Sequence, residues 1–265
     1  MWAVKLLNKA FCIIYRALGT MAFLLLVTFI TGCMDMDSKS PDVFVFLTNI
    51  DDTIIQSVRY HTGENFLGRQ VRGYKTNRII CTRKAALQLK KAHDHFKNHG
   101  YKLVVYDGYR PQVAVDEFRE WGSDLNDVRA KDFYYPTLEK KDLFEGGYVP
   151  QKTSMHSRGS AFDLTLIKMG NTIHSIRYSK RTLKNGDEIP FLDDGTVDMG
   201  ASFDLFHAIS HHDHDLLEPH HLQMRRFLKE TMENFGFKSY PQEWWHYHLE
   251  DEPFPDTYFN FIVED

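Results

Sequence analysis

His156 and Asp163 stand close together in "SMHSRGSAFDLTL", and His246 follows much later in "EWWHYHL". An imidazole and a carboxylate brought together by a Gly-containing turn offer N and O donors of the kind zinc accepts. Zinc takes about four partners, and a catalytic site leaves one of them to water. A third protein donor is therefore needed, and His246 is the candidate. Zinc lowers the pKa of such a water to about 7 and polarises carbonyls, which is the chemistry of hydrolysis. Glu243, shortly before His246, is a candidate general base on that water. Arg110, in "DGYRP", is a candidate cation for the oxyanion that develops. Each has a bland alternative: His/Asp pairs of this spacing are common on surfaces, and Arg110 could simply pair with a surface acid.

The elements that must position these residues are legible in outline. "TRKAALQLKKAHDHFKNHG" reads as a helix with Thr82 as N-cap, Ala85, Leu89, Ala92 and Phe96 at helical spacing, and Gly100 as its stop. His93, His95 and His99 are assigned to its solvated side. "YKLVVYDGYRP" reads as a strand over Leu103–Tyr106, broken at Asp107-Gly108. Pro111 suits the first turn of a helix through "QVAVDEFREWG", which leaves Arg110 at a strand-to-helix corner. "SAFDLTLIK" alternates, with Phe162, Leu164 and Leu166 on one face and Ala161, Asp163 and Thr165 on a polar one. "HHLQMRRFLKETMENFGF" is a helix with Leu222, Leu228, Met232 and Phe235 as its apolar stripe. In "EWWHYHL" regular alternation puts His246 and His248 on the polar side and Trp245, Tyr247 and Leu249 on the core side. Glu243 has the opposite parity to His246. It shares the site only if the chain turns at Gln242–Trp244, just after Pro241. Helices mixed irregularly with short strands indicate an α+β fold. The expected architecture is a single domain with a small, mainly antiparallel sheet flanked by helices and the metal site in a cleft.

The chain has 265 residues, 43% hydrophobic and 26% charged, which is ordinary for one globular domain. A formal charge of -4 offers no basic field for nucleic acid, and no Gly-rich phosphate loop is present. Residues 1–32 carry Lys5, Lys9 and Arg16, no acidic residue, and the run "MAFLLLVTFITGC". A basic start followed by a short apolar run ending in small residues reads as a secretory signal. Thr20 to Gly32 is short for a membrane span, which needs about 20 apolar residues. "ITGC" resembles a bacterial lipobox, which makes residues 1–32 a lipoprotein signal peptide and Cys33 the lipidated mature N-terminus. The alternative is an uncleaved N-terminal anchor. Residues 33–41, polar and aperiodic, read as a tether, and 42–265 as the catalytic domain. The expected location is the cell envelope, facing the periplasm, on a membrane through the lipid. With the leader left out, Cys81 is alone in the domain and reads as a small buried apolar residue.

"DGYRP", "SMHSRGSAFDLTL", "GASFDLF…SHH" and "MENFGF…EWWHY" occur in that order. Together they resemble VanX-type D-alanyl-D-alanine dipeptidases, zinc enzymes related to D,D-carboxypeptidases. The likeness runs from about Val43 to the C-terminus, and four ordered motifs are far more specific than any one. The resemblance implies one Zn2+ per chain on His156, Asp163 and His246, Glu243 as general base, and Arg110 as transition-state stabiliser. It also implies Asp204, in "GASFD", as the partner of the substrate's free ammonium, with Ser154 touching the substrate backbone. The implied reaction is hydrolysis of D-alanyl-D-alanine to two D-Ala, in cell-wall turnover or dipeptide scavenging. The alternatives are a zinc carboxypeptidase or endopeptidase on murein peptides and a non-catalytic zinc or cell-wall-binding lipoprotein. Two features depart from the pattern. Residues 170–196 read as a polar surface insertion, with the reach to cover or reshape the pocket mouth, and His248 reads as an ordinary, partly buried histidine. The His211–Asp215 cluster, whose "SHH" belongs to the pattern, reads as local structure rather than a second metal site.

Overall fold

The computed structural model describes residues 43–265; the expected signal peptide, Cys33 and the tether lie outside the described residues. In chain order, strands β1 (Phe44–Phe46), β2 (Ile55–Gln56) and β3 (Ile80–Thr82) precede helix α1 (Arg83–Asn98) and strand β4 (Tyr101–Asp107). Helices α2 (Gln112–Ser123), α3 (Lys131–Tyr134) and α4 (Lys140–Glu145) lead into β5 (Ala161–Lys168). A hairpin follows, β6 (Arg177–Thr182) and β7 (Glu188–Asp193), and then helix α5 (Pro219–Asn234). Strands β8 (Phe237–Tyr240) and β9 (Glu243–Leu249) close the domain.

The main sheet has the order β2-β4-β5-β9-β8. Only β2–β4 is parallel; the other pairs are antiparallel. The α+β architecture is therefore the expected one. Helices α1 and α5 pack against the sheet and each other. Thr82 caps α1, its side chain accepting the Ala85 N–H, and a cap of this kind contributes about 1 kcal/mol. Ala85, Leu89, Ala92 and Phe96 are buried, and Gly100 ends the segment at φ 84, a conformation that costs glycine little. Pro111 stands one place earlier than expected, as the N-cap of α2.

Two expectations fail on burial. His93 is fully buried, not solvated: its Nδ1 accepts the Leu103 N–H at 3.2 Å and its Nε2 meets Thr53 Oγ1 at 3.0 Å. Helical spacing alone does not show that β4 runs beside that ring. Likewise, the face of β5 expected to be polar is buried at Ala161, Asp163 and Thr165. As the middle strand, β5 is covered on both sides, so its carboxylate is a buried charge that needs a compensating partner. Among the described residues, no helix is long and apolar enough to cross a membrane.

Candidate metal centre and active site

Two of the three donors face each other because their strands pair. Asp163 on β5 is the direct cross-strand partner of His246 on β9. His156 arrives on a 3-10 turn over Met155–Arg158 that runs into β5. Ser154 caps that turn, its Oγ accepting the His156 N–H at 3.3 Å. Gly159 closes it at φ 83, where a Cβ would stand 2.2 Å from the Phe44 ring. Only glycine fits both the backbone and the space.

The donor atoms converge. His156 Nε2 lies 3.0 Å from His246 Nδ1 and 3.2 Å from Asp163 Oδ1, and His246 Nδ1 lies 3.1 Å from Asp163 Oδ1. Bonds of roughly 2.0–2.1 Å to one tetrahedral zinc would separate such donors by about 3.3 Å. His156 donates its Nδ1–H to the Gly108 carbonyl at 2.8 Å, which turns the Nε2 lone pair inward. His246 Nε2 is buried without a partner. Burial pushes the His246 pKa down to about 4, so the ring is neutral near pH 7, as a ligand must be. Burial opposes the charge of Asp163, but the imidazoles of His156 and His246 more than offset it, and the carboxylate stays ionised. Two inward-facing imidazole nitrogens against one carboxylate oxygen form a set that a cation completes. The donor chemistry fits zinc.

Behind the donors sits a second buried layer. The β4–β5 register slips between Val105 and Asp107, so that Asp107 comes opposite Asp163. Such a bulge re-aims a side chain. Asp107 is fully buried and accepts from Tyr74 Oη at 2.8 Å, the Gly108 N–H at 2.9 Å and Arg110 Nε at 2.9 Å. It also lies 3.6 Å from His156 Nδ1. Arg110 donates through Nη2 to Asp163 Oδ2 at 3.2 Å, and its guanidinium stands 5.1 Å from the ring centres of both Tyr60 and Phe118. The alternative of a surface ion pair for Arg110 is thus wrong: both of its acids are buried. A reading of Asp107 as a strand breaker alone leaves out its part in fixing Arg110. Its position in "DGYRP", three residues before the arginine, was the available signal.

Glu243 reaches the site, though not by the expected turn. On the β8 side the register runs through Ser239↔Tyr247 and then jumps to Tyr240↔Glu243. The irregular stretch is Trp244–His246, inside the strand, rather than Gln242–Trp244. Strict alternation fails there, so Trp245 lines the cleft together with Glu243 and His246. Trp245, Tyr247 and Leu249 are all buried in the core as expected, and Trp245 also borders the cleft, which the alternation did not indicate. Glu243 Oε2 lies 3.9 Å from His246 Nδ1. Burial, and then the charges of Asp163 and Asp204, raise the Glu243 pKa well above the usual carboxylate range. A basic carboxylate suits proton transfer near neutral pH.

Asp204 is buried at φ 60, the one described non-glycine residue with positive φ. Its Oδ2 accepts the Tyr60 hydroxyl at 2.9 Å. No cationic side chain pairs with it among the described residues. Burial, and next the charge of Asp163, raise its pKa well above the ordinary value. Arg110, Ser154, His156, Asp163, Asp204, Glu243 and His246 all line one cavity of ≈ 230 Å³. That is below the roughly 300–1,000 Å³ of pockets for drug-sized ligands. Tyr60 also lines it and was not singled out from the sequence, because no local pattern around it marks a site.

The remaining candidates stay outside. His248 is half-buried, its ring centre 6.2 Å from that of His246, and it does not join the donor set. Within His211–Asp215 no metal-binding group forms among the described residues; His214 Nδ1 accepts the Leu216 N–H and the His211 carbonyl accepts Arg225. In a second cluster, Asp198 with His220 and His221, the carboxylate is already paired, while His221 Nδ1 is buried without a partner. Arg181 donates two bonds to Asp198, and the Gly200 N–H a third. Residues 170–196 carry the β6–β7 hairpin; β6 is polar and largely exposed, as expected of a surface insertion, and the segment supplies no residue to the cleft lining.

A peptidase M15 family model, described as D-ala-D-ala dipeptidase, matches residues 42–175 and 189–264. A D-alanyl-D-alanine dipeptidase of Enterococcus faecalis is 42% identical over 83% of this chain and 98% of its own length. Proteins with the same description from Enterococcus faecium and Streptomyces coelicolor are 38% and 37% identical, each over 83% of this chain and 98% of theirs.

Proposed function

The chain belongs to the D-Ala-D-Ala dipeptidase family of M15 peptidases and is a zinc metallopeptidase that hydrolyses D-alanyl-D-alanine; we propose that it does so with one zinc ion per chain, held by His156, Asp163 and His246. Zinc in that position supplies Lewis acidity, lowering the pKa of water to about 7 and polarising the scissile carbonyl.

The chain's own residues do the rest. Asp204, held by the Tyr60 hydroxyl, receives the free ammonium of the dipeptide. That contact selects a dipeptide over a longer peptide, which would bring an uncharged amide to a buried carboxylate. Ser154, on the cleft wall, meets the substrate backbone. Glu243 takes a proton from the attacking water as the C–O bond forms. It then delivers that proton to the leaving amine as the C–N bond breaks, which yields two D-Ala. Arg110 is fixed by Asp107 and Asp163 and stabilises the negative charge that grows on the carbonyl oxygen. Its position costs no reorganisation at the moment of reaction.

The observation that carries this reading is the meeting of three donors, a basic carboxylate, a fixed guanidinium and an unneutralised acid in one small cavity. Purified, zinc-loaded protein should release D-Ala from D-alanyl-D-alanine and lose that activity to a chelator. Absence of D-Ala release would overturn it. We further propose that residues 1–32 export the chain and that Cys33 anchors it by lipid. The substrate pool would then be extracytoplasmic, supplied by cell-wall turnover or scavenged from outside. Cell fractionation checks this, and activity confined to the cytosol of the native host would refute it.

A further inference from the structure

The hairpin contains the one internal stretch, 176–188, that the family model leaves unmatched, yet it is firmly attached. Leu183 and Ile189 are buried with Ala201, Leu205, Ile209 and Leu217 in a small apolar cluster separate from the main core. The Leu192 N–H donates to Ser202 Oγ at 2.7 Å. Arg181 donates to both oxygens of Asp198 at 2.8 and 2.6 Å, with its guanidinium 3.8 Å from the centre of the Phe191 ring. These contacts converge on the segment 198–205, which carries Asp204. At the end of the hairpin, buried Asp194 accepts from Arg59 and from Tyr106 Oη. Arg59 immediately precedes Tyr60, whose hydroxyl bonds to Asp204.

Asp204 needs such support. A non-glycine residue at φ 60 costs of order 1–3 kcal/mol and persists only where its surroundings over-determine it. Among the described residues no cationic side chain pairs with its buried carboxylate, so loosening its segment would let it swing toward water. We infer that the β6–β7 hairpin is a brace that fixes Asp204 for recognition of the substrate's ammonium, with Arg181 and Leu183 as positioning residues. This rests on the reading of Asp204 given above. The hairpin acts through the loop and touches no substrate, so its effect belongs to binding rather than to the bond-breaking step.

The test uses the full chain, zinc-loaded, with Arg181→Met and Leu183→Ala assayed on D-alanyl-D-alanine. The brace predicts a KM raised about tenfold with kcat within about twofold, because uniform binding is lost and transition-state contacts are kept. Zinc content should not change. Arg181 is a partly exposed side chain whose loss leaves both cores intact, so that variant keeps the test open if Leu183→Ala folds poorly. A purely structural role would reduce the active fraction, lowering kcat with KM unmoved, and that result overturns the brace. Wild-type protein with no activity on the dipeptide would instead overturn the assignment of the reaction.

Discussion

The two ends of the cavity are built by different means. The donor end lies on the middle of the sheet: Asp163 and His246 are cross-strand partners, and His156 is tied by its turn and by the Gly108 carbonyl. The ammonium end lies on a loop, at positive φ, and is steadied by a hairpin with its own small cluster of apolar residues. Ladder hydrogen bonds fix Asp163 and His246 in geometry that the backbone already prefers, whereas contacts from elsewhere in the chain hold Asp204 against its backbone preference. The difference implies a division of labour. Changes at the donor end should strike the chemistry, and changes at the loop end should strike recognition.

The largest effects test the donor end. Glu243→Gln keeps the shape and removes the base, and should lower kcat by roughly 10²–10⁴-fold with zinc content unchanged. Metal analysis beside steady-state kinetics checks both halves, and loss of zinc would mean that Glu243 serves the ligands instead. Asp107→Asn leaves all three donors in place but weakens the hold on Arg110. It should cost about 10–100-fold in metal affinity or activity, as outer-layer changes at metal sites do. Competition with a chelator measures the affinity directly. An effect on KM alone would blur the contrast between the two ends.

Much of this was legible in the sequence, and the misses share a cause. The capped helix after Thr82 and the strands through Leu103–Tyr106 and through Asp163 are local patterns, and the structure contains them, although the second strand is buried on both faces. Seven candidate residues that lie together in the cavity carry recognisable neighbours in sequence. What failed depends on which strands become neighbours. His93 looks solvated until β4 is laid beside it, and Trp245, a core residue as expected, gains its second place on the cleft wall only where the β8–β9 register slips. Asp107 looks like a breaker until a bulge places it opposite Asp163. Tyr60 has no local signature at all. Its role comes from a bond to a residue far along the chain.

At the loop end, Asp204→Asn removes the charge and keeps the hydrogen-bonding shape. Hydrogen bonds to charged groups contribute roughly 1.5–3 kcal/mol, so KM should rise about 10- to 100-fold while kcat changes far less. A blocked, N-acetylated dipeptide should bind the variant at least as well as the wild type, because the buried charge that rejects it is gone. A variant that lost kcat at constant KM would assign Asp204 to the chemistry and erase the division between the ends.

The smallest effect on catalysis belongs to a residue that serves neither end. His93 is buried on α1 and holds the start of β4 through the Leu103 N–H. Burial lowers its pKa from 6.5 to about 4. As the pH falls below 6.5 the unfolded chain takes up a proton that the folded chain refuses until about 4. Stability is therefore complete above 6.5 and declines across that window. His93→Gln, with an amide oxygen to accept the same N–H, has no proton to take up. Its melting temperature should fall less than that of the wild type between pH 6.5 and 4, with KM and kcat unchanged at neutral pH. Parallel melting curves with unequal kinetics would show that the helix behind the sheet reaches the cavity after all, and that the scaffold and the two ends are not separable.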